Sequence, residues 1–441
     1  MTRNLTEGNI TRGMLSFSIP YLISCFLQTF YGMADLFITG QFNGAASISA
    51  VAVGSQLMHM LTVMIVGLAM GSTVTISRCI GARDERGAAA GIGSTVSLFM
   101  LVSVAVTGIL LLLADPILRI MAVPGEALSE ARRYCTICFA GIPFITAYNI
   151  VSSIFRGLGD TKRPMYFVAV AGLMNIGLDY LLIGPFGMGA AGAALATVIS
   201  QAGSVLLALL SLRRFDIGVK MSSSDFRFDP DTVRRILGIG VPVAFQEGLI
   251  QISFLVITAI ANSRGVDVAA AVGIVEKIIS FLFLVPSAML STVSALAAQN
   301  AGAGKHERSR KVLQTGIIIC AGFGFVIFLI CQCISEPIVS CFVHDNTQVV
   351  KLGGQYLRSY TLDCIFAGIH FCFSGFFSAY GKSGYSFLHN MLSAICIRIP
   401  GAWLASALFP LTLYPMGLAA PAGSLVSILI CVVLYRRHEW K

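Results

Sequence analysis

Apolar residues run through this chain in long blocks, not in the narrow stripes of soluble amphipathic helices. A helix needs about twenty predominantly apolar residues to cross a bilayer. Twelve blocks reach that length, at roughly 14–39, 46–77, 88–113, 130–155, 164–184 and 190–212, then at roughly 236–261, 268–297, 312–334, 348–379, 386–409 and 415–435. The pattern predicts an all-α integral membrane protein of about twelve transmembrane helices. The longest polar stretch, Arg213 to Arg235 with Ser222-Ser223-Ser224, separates six blocks from six. It divides the chain into an N-terminal lobe over 1–212, a linker over 213–235 and a C-terminal lobe over 236–441.

The two halves carry matching marks. Ile80-Gly81-Ala82-Arg83 follows the second block and Ala301-Gly302-Ala303-Gly304 follows the eighth, an offset of 221 (302 − 81). Asp115-Pro116 and Glu336-Pro337 share that offset (337 − 116), and Pro20 stands 222 positions before Pro242. Six crossings return the chain to its starting side, so the repeat is parallel. It predicts two six-helix lobes related by pseudo-twofold symmetry along the membrane normal, able to rock about a central cavity.

Composition supports the membrane reading. The 441 residues are 56% hydrophobic and only 12% charged, about half the charged share of soluble domains. The mean hydropathy is +0.82. Met1 to Thr11 is polar and the following apolar run has no small-residue cleavage site, so the first helix is expected to act as its own insertion signal. The twelve Cys show no metal-ligand spacing and read as small packing residues.

The formal net charge of +9 does not call for a nucleic-acid partner, because the basic residues are sorted by side. Of 30 Lys and Arg, six (Arg119, Arg132, Arg133, Arg264, Lys351, Arg358) are counted on the side of the odd-numbered connections, block ends included. Two, Lys277 and Arg398, fall inside blocks, which leaves 22 on the even-numbered connections and the termini. By the positive-inside rule both termini are cytoplasmic. The expected location is the cell membrane, a bacterial inner membrane, with membrane lipids as surroundings and a monomer as the working unit.

Charged side chains are costly within a span, so each in-span charge is a functional candidate. Gln28, Tyr31 and Asp35 share one face of the first span, at spacings of three and four. Asn175 and Asp179 lie four apart on the fifth span, and Thr197 lies on the sixth among Gly and Ala. Oxygen groups from three helices suit one proton or one small hard cation; a hydrogen-bonded packing cluster is the structural alternative. Glu276, Asp363, His370 and Arg398 are the polar marks of the second half. Glu276 suits a cationic substrate or a pair with Arg398.

These residues and their spacing resemble the multidrug and toxic compound extrusion family over essentially the full chain. The carriers are Pro20 with Asp35, Asn175-x-x-x-Asp179 with Thr197, Phe155-Arg156-Gly157-Leu158-Gly159-Asp160-Thr161-Lys162-Arg163-Pro164, and the six-plus-six layout. The resemblance implies that Asp35, Asn175, Asp179 and Thr197 form a cation or proton site and that Pro20 is a hinge. One branch of the family carries an acid in the middle of the seventh span and another in the tenth. Here the seventh reads Leu249-Ile250-Gln251-Ile252, Glu247 lies earlier, and Asp363 stands about one turn away. Coupling is therefore expected in the N-terminal lobe.

The expected function is secondary active efflux of organic, chiefly cationic and amphipathic, compounds against H⁺ or Na⁺ by alternating access, with no other cofactor or metal. The substrate cavity is expected to draw on Gln28, Tyr31, Asn149, Glu276, Asp363 and Arg398. No nucleotide-binding G-x-x-x-x-G-K-[ST] occurs, and no catalytic constellation marks an enzyme. The alternatives are a lipid-linked precursor flippase and a major-facilitator-type transporter. Gly81-Ala82-Arg83-Asp84-Glu85-Arg86-Gly87 only echoes the loop signature of the latter.

Overall fold

The computed structural model describes residues 4–121, 123–214, 218–343 and 346–440. Arg3, Lys441 and linker residues 215–217 lie outside them. Eighteen α-helices follow one another: α1 Ile10–Phe42, α2 Ala45–Gly81, α3 Glu85–Leu112, α4 Ala114–Ile120, α5 Gly125–Ala140, α6 Ile142–Gly157, α7 Lys162–Ile183, α8 Gly189–Arg214, α9 Pro230–Asn262, α10 Val266–Leu282, α11 Leu284–Gly302, α12 His306–Ser340, α13 Thr347–Tyr360, α14 Asp363–Ala379, α15 Ser383–Leu392, α16 Ile399–Leu408, α17 Tyr414–Gly417 and α18 Ala419–Arg437. Among the described residues there is no strand.

Ten stretches are long and apolar enough to span a membrane unbroken, and two bent pairs bring the number to twelve. The bent pairs are α5 with α6, at 47°, and α13 with α14, at 41°. The first break falls at Gly141, where a Cβ would stand 2.3 Å from a methyl of Val198. Pro143 in the first turn of α6 suits a new helix start, where its missing N–H costs nothing. Large apolar side chains face outward along the spans: Phe37 is 66% exposed, Leu173 74% and Ile318 71%. Exposed apolar surface on that scale belongs against lipid tails.

The 221 offset recurs in the helices themselves. It separates the starts of α2 and α10 (266 − 45), of α3 and α12 (306 − 85), and of α7 and α15 (383 − 162). Local capping helps set these starts. Asp84 accepts from Gly87 N at 2.9 Å before α3, and Asn346 accepts from Gln348 N and Val349 N, both at 3.1 Å, before α13.

The chain forms two compact units, Ile19–Leu237 and Leu5–Ser18 with Gly238–Lys441. The start of the chain thus belongs with the second half, which the expected 1–212 lobe did not anticipate. Leu5 N donates to Gln299 Oε1 at 3.1 Å, Lys305 Nζ to Thr6 O at 3.0 Å, and Arg308 to Glu7 O and Gly8 O, both at 2.9 Å. Backbone carbonyls before a helix attract basic side chains, and no pattern of apolar residues announces that. The stretch expected as a linker also packs into a unit. Residues Ser223–Phe226 form a turn of 3₁₀-helix, Ser97 Oγ donates to Phe226 O at 2.6 Å, and Val219, Val233 and Ile236 join a core with Ile92 and Phe99 of α3. Gly93 is required there, since any Cβ would collide with the Asp225 carbonyl. Arg358, expected in an outer connection, lies in the last turn of α13, where its Nε donates to Ser335 Oγ at 3.2 Å.

Candidate functional site

In the first unit, α1, α7 and α8 bring their polar positions together. Asp35 is 4% exposed, Asn175 1% and Asp179 0%. Asn175 and Asp179 share a face of α7 because they lie four apart, and that face turns inward. Thr197 Oγ1 of α8 donates to Asp35 Oδ2 at 3.3 Å and also to Ala193 O of its own helix at 3.1 Å. Asp179, Thr197 and Asn175 all lie close enough to interact with the Asp35 carboxyl group. Only the Thr197 contact has the geometry of a formed hydrogen bond. Asp35 Oδ1, both Asp179 oxygens and both Asn175 amide atoms are buried without a hydrogen-bond partner among the described residues.

Buried polar atoms left unsatisfied cost about 1–3 kcal/mol each, more when charged. Several acceptor oxygens at one point make a cluster able to take up a hydrogen-bond donor or a positive charge. A proton or a small cation answers that description, and two carboxylates in one dry group cannot both stay bare anions without one. The four expected site residues are thus brought together.

The surroundings contain groups that sequence spacing missed. Gln201 Nε2 of α8 donates to Tyr31 OH at 3.0 Å, and Ser55 Oγ of α2 bonds Tyr134 OH of α5 at 3.0 Å. Tyr134 and Cys138 lie within electrostatic range of Asp35. Gln201 lies four residues after Thr197 on the same helix, so its spacing carried a usable signal. Tyr31 packs against Gly172 of α7, where a Cβ would sit 3.3 Å from its ring. Two expected cavity residues stand apart from the group. Gln28 is half-buried and makes no hydrogen bond to it among the described residues. Asn149 turns to its own helix, with Nδ2 donating to Ile145 O at 2.8 Å. Pro20 lies inside α1, two residues past the point where that helix passes from one unit to the other.

The second unit holds a different polar group. Glu276 Oε2 of α10 accepts from Thr258 Oγ1 of α9 at 2.9 Å, and its Oε1 has no partner among the described residues. Arg398 ends a six-residue π-helix, Ser393–Arg398, a local widening that is frequent at functional sites. Its guanidinium donates to Tyr360 OH at 2.6 Å and lies 4.4 Å from the Phe254 ring centroid. Gly423 makes room for the start of that π-helix, since a Cβ there would stand 2.7 Å from Ser393 Oγ. Asp363 opens α14 and is 2% exposed; Glu276 and Asp363 are both within electrostatic range of Arg398. Neither forms an ion pair with it among the described residues, so the expected Glu276–Arg398 pair is not made. His370 Nε2 meets Ser424 Oγ at 3.3 Å, and His389 Nε2 meets Ser374 Oγ at 2.9 Å. The two imidazole rings lie 5.5 Å apart.

Two repeated six-span units with an apolar exterior and buried ionisable groups define a polytopic membrane transporter. Comparison with known proteins specifies the kind. The MatE family model matches residues 20–181 and 242–404, and the chain belongs to that family of multidrug efflux transporters. Among curated relatives it is 28% identical over 443 residues to the probable multidrug resistance protein YpnP of Bacillus subtilis, covering 99% of this chain and 97% of that one. It is 25% identical to the multidrug export protein MepA of Staphylococcus aureus, over 98% of this chain and 95% of the relative. An outward-facing multidrug resistance MATE transporter of the MOP superfamily superposes with a TM-score of 0.90 at 23% identity, covering 98% of this chain and 96% of the other. A MATE crystal structure in the bent conformation also gives 0.90, at 22% identity over 98% and 96% of the two chains. At those identities the structures attest the fold.

Proposed function

We propose that this protein exports amphipathic organic compounds in exchange for inward-moving protons or sodium ions, by alternating access. The observation that carries the reading is the Asp35–Asp179 group with Thr197 and Asn175, drawn from three helices and left with unsatisfied buried oxygens. A proton or sodium ion satisfies those oxygens and neutralises the like charges. Outward opening wets the group and loads the ion; return to the inward state releases it. Substrate competes for the state in which the acids are bare. Pro20 supplies the hinge: it cannot give an N–H to the carbonyl one turn back, and it lies beside the crossing of α1 between units. The relatives named as multidrug export and resistance proteins support the substrate breadth. Both termini and the 213–235 stretch are placed in the cytoplasm, with the protein in the cell membrane as a monomer. Glu276, with one carboxylate oxygen left unsatisfied, offers a cationic substrate a counter-charge.

The test is drug flux in proteoliposomes with a pH gradient and a sodium gradient imposed separately. One of the two gradients drives uphill flux in the wild-type protein. Flux indifferent to both would overturn the antiport reading.

A further inference from the structure

Three arginines take no part in the coupling group or the polar group of the second unit. Arg119 on α4 and Arg132 and Arg133 on α5 line one cavity of about 810 Å³, with Asp115, Ser129 and Thr136. Arg132 bonds Asp115 at 2.9 Å. Neither Arg119 nor Arg133 forms an ion pair among the described residues, and the acids Glu126 and Glu130 of α5 are not in the lining. The cavity therefore sets three guanidinium groups against one carboxylate.

The internal repeat shows that the fold does not demand these charges. At the 221 offset Asp115 becomes Glu336, but Arg119 becomes Ser340 and Arg132 and Arg133 become Gly353 and Gly354. At Gly354 a Cβ would stand 2.4 Å from Glu336 Cγ, so the second unit fills this corner without those three arginines, and it carries a different one, Arg358, at the place of Ile137. The cavity lies at the junction of the third and fourth spans, on the side where basic residues are scarce. Three of the six expected on that side gather here. Leu128 in the cavity lining is 40% exposed, and the neighbouring ends of α3 and α4 carry Leu112 at 83% and Ile120 at 84%. Guanidinium groups pair bidentately with phosphate oxygens, and basic pockets between transmembrane helices hold lipid headgroups on the cytoplasmic side; this cavity would do so on the opposite side.

We propose that this cavity binds the phosphate headgroup of an acidic membrane lipid. Arg119 and Arg133 hold the phosphate, and Leu112 and Ile120 lie along the acyl chains. The site is independent of the coupling ion.

Native mass spectrometry of the purified full chain tests this with phosphatidylglycerol, phosphatidylcholine and water-soluble glycerol phosphate. Wild type retains phosphatidylglycerol in preference to phosphatidylcholine. Arg119→Gln with Arg133→Gln reduces that preference by about 25-fold, at about fivefold per arginine. Asp115→Asn frees Arg132 and strengthens it. Equal retention of the two lipids, or an unchanged preference in the double variant, overturns the proposal. Competition by glycerol phosphate as strong as by the lipid overturns the lipid assignment in favour of a free-phosphate site. Should the double variant not express, Asp115→Asn decides, since an unchanged preference there also overturns the site.

Discussion

Thr197→Val probes the coupling group most cleanly, because it removes one hydroxyl and keeps the branched shape. That hydroxyl makes two bonds. The one to Ala193 O lies within α8 and is lost equally in the ion-loaded and ion-free states, so it cancels. The one to Asp35 Oδ2 does not cancel, because it sets the geometry of the acid that receives the ion. Hydrogen bonds to charged groups contribute roughly 1.5–3 kcal/mol net. At 3.3 Å this one is past the usual range, so about 1.5 kcal/mol is the working figure. Each 1.4 kcal/mol is about tenfold in affinity. Because the bond is donated to the bare carboxylate, its loss disfavours the ion-free state, and the expected result is a roughly tenfold fall in the coupling-ion concentration that gives half-maximal flux, with the maximal rate little changed. Proteoliposome flux, titrated with the coupling ion at fixed substrate, measures both quantities. A melting curve of the same preparation shows whether the fold is intact. An unchanged half-saturating concentration, or a lost maximal rate at unchanged half-saturation, would refute the reasoning.

Asp35→Asn and Asp179→Asn should each abolish gradient-driven efflux in a protein that still inserts and melts normally; wild-type flux in either well-expressed variant would remove that acid from the mechanism. Glu276→Gln should change the spectrum of exported drugs, read as relative flux across a panel, and leave the response to the ion gradient intact. Because Glu276 and Arg398 are not ion-paired among the described residues, adding Arg398→Gln to that variant should not restore any lost stability, and a recovered melting temperature would show a pair the structure lacks. Gly375→Ala should lower the melting temperature by an amount equivalent to about 1–3 kcal/mol, since its Cβ would stand 2.4 Å from the Leu290 carbonyl oxygen; a wild-type melt would contradict the close approach of α11 and α14.

Hydropathy found the spans because in lipid every backbone group must be satisfied within a helix, so length and apolarity alone define the element. Breaks were less legible. The 130–155 and 348–379 blocks read as continuous, yet each is two helices, since Gly141 and Thr361–Leu362 interrupt runs whose hydropathy does not change. Sites followed the same division. Asp35, Asn175, Asp179 and Thr197 announced themselves by cost and spacing. Asn149 looked equally polar but satisfies itself on the preceding turn, which spacing cannot distinguish from a side chain aimed at a guest. The docking of Leu5–Ser18 onto the second unit depends on Gln299, Lys305 and Arg308, residues that read as ordinary loop-end polars.

The repeat sharpens what each unit is for. Carried across by 222 positions in the first span, Asp35 becomes Ile257, which is 2% exposed. Carried across by 221, Asn175 becomes Cys396, Asp179 becomes Pro400 and Thr197 becomes Leu418. In the reverse direction Glu276 becomes Ser55, Asp363 becomes Ile142 and Arg398 becomes Gly177. Every ionisable residue of one group thus falls on a neutral residue in the other unit. If the charges served the packing of a six-helix unit, both units would need them, because both pack the same helices at the same offset. Each unit does without the other's charges and still buries a complete core. The carboxylates of the first unit and the mixed charges of the second are therefore additions to a shared scaffold. Unsatisfied acid oxygens occur in both units, on Asp35 and Asp179 in the first and on Glu276 and Asp363 in the second, but the second sets the Arg398 guanidinium and the Tyr360 and Phe254 rings beside its acids. On that basis we propose that ion coupling belongs to the first unit and substrate contact to the second.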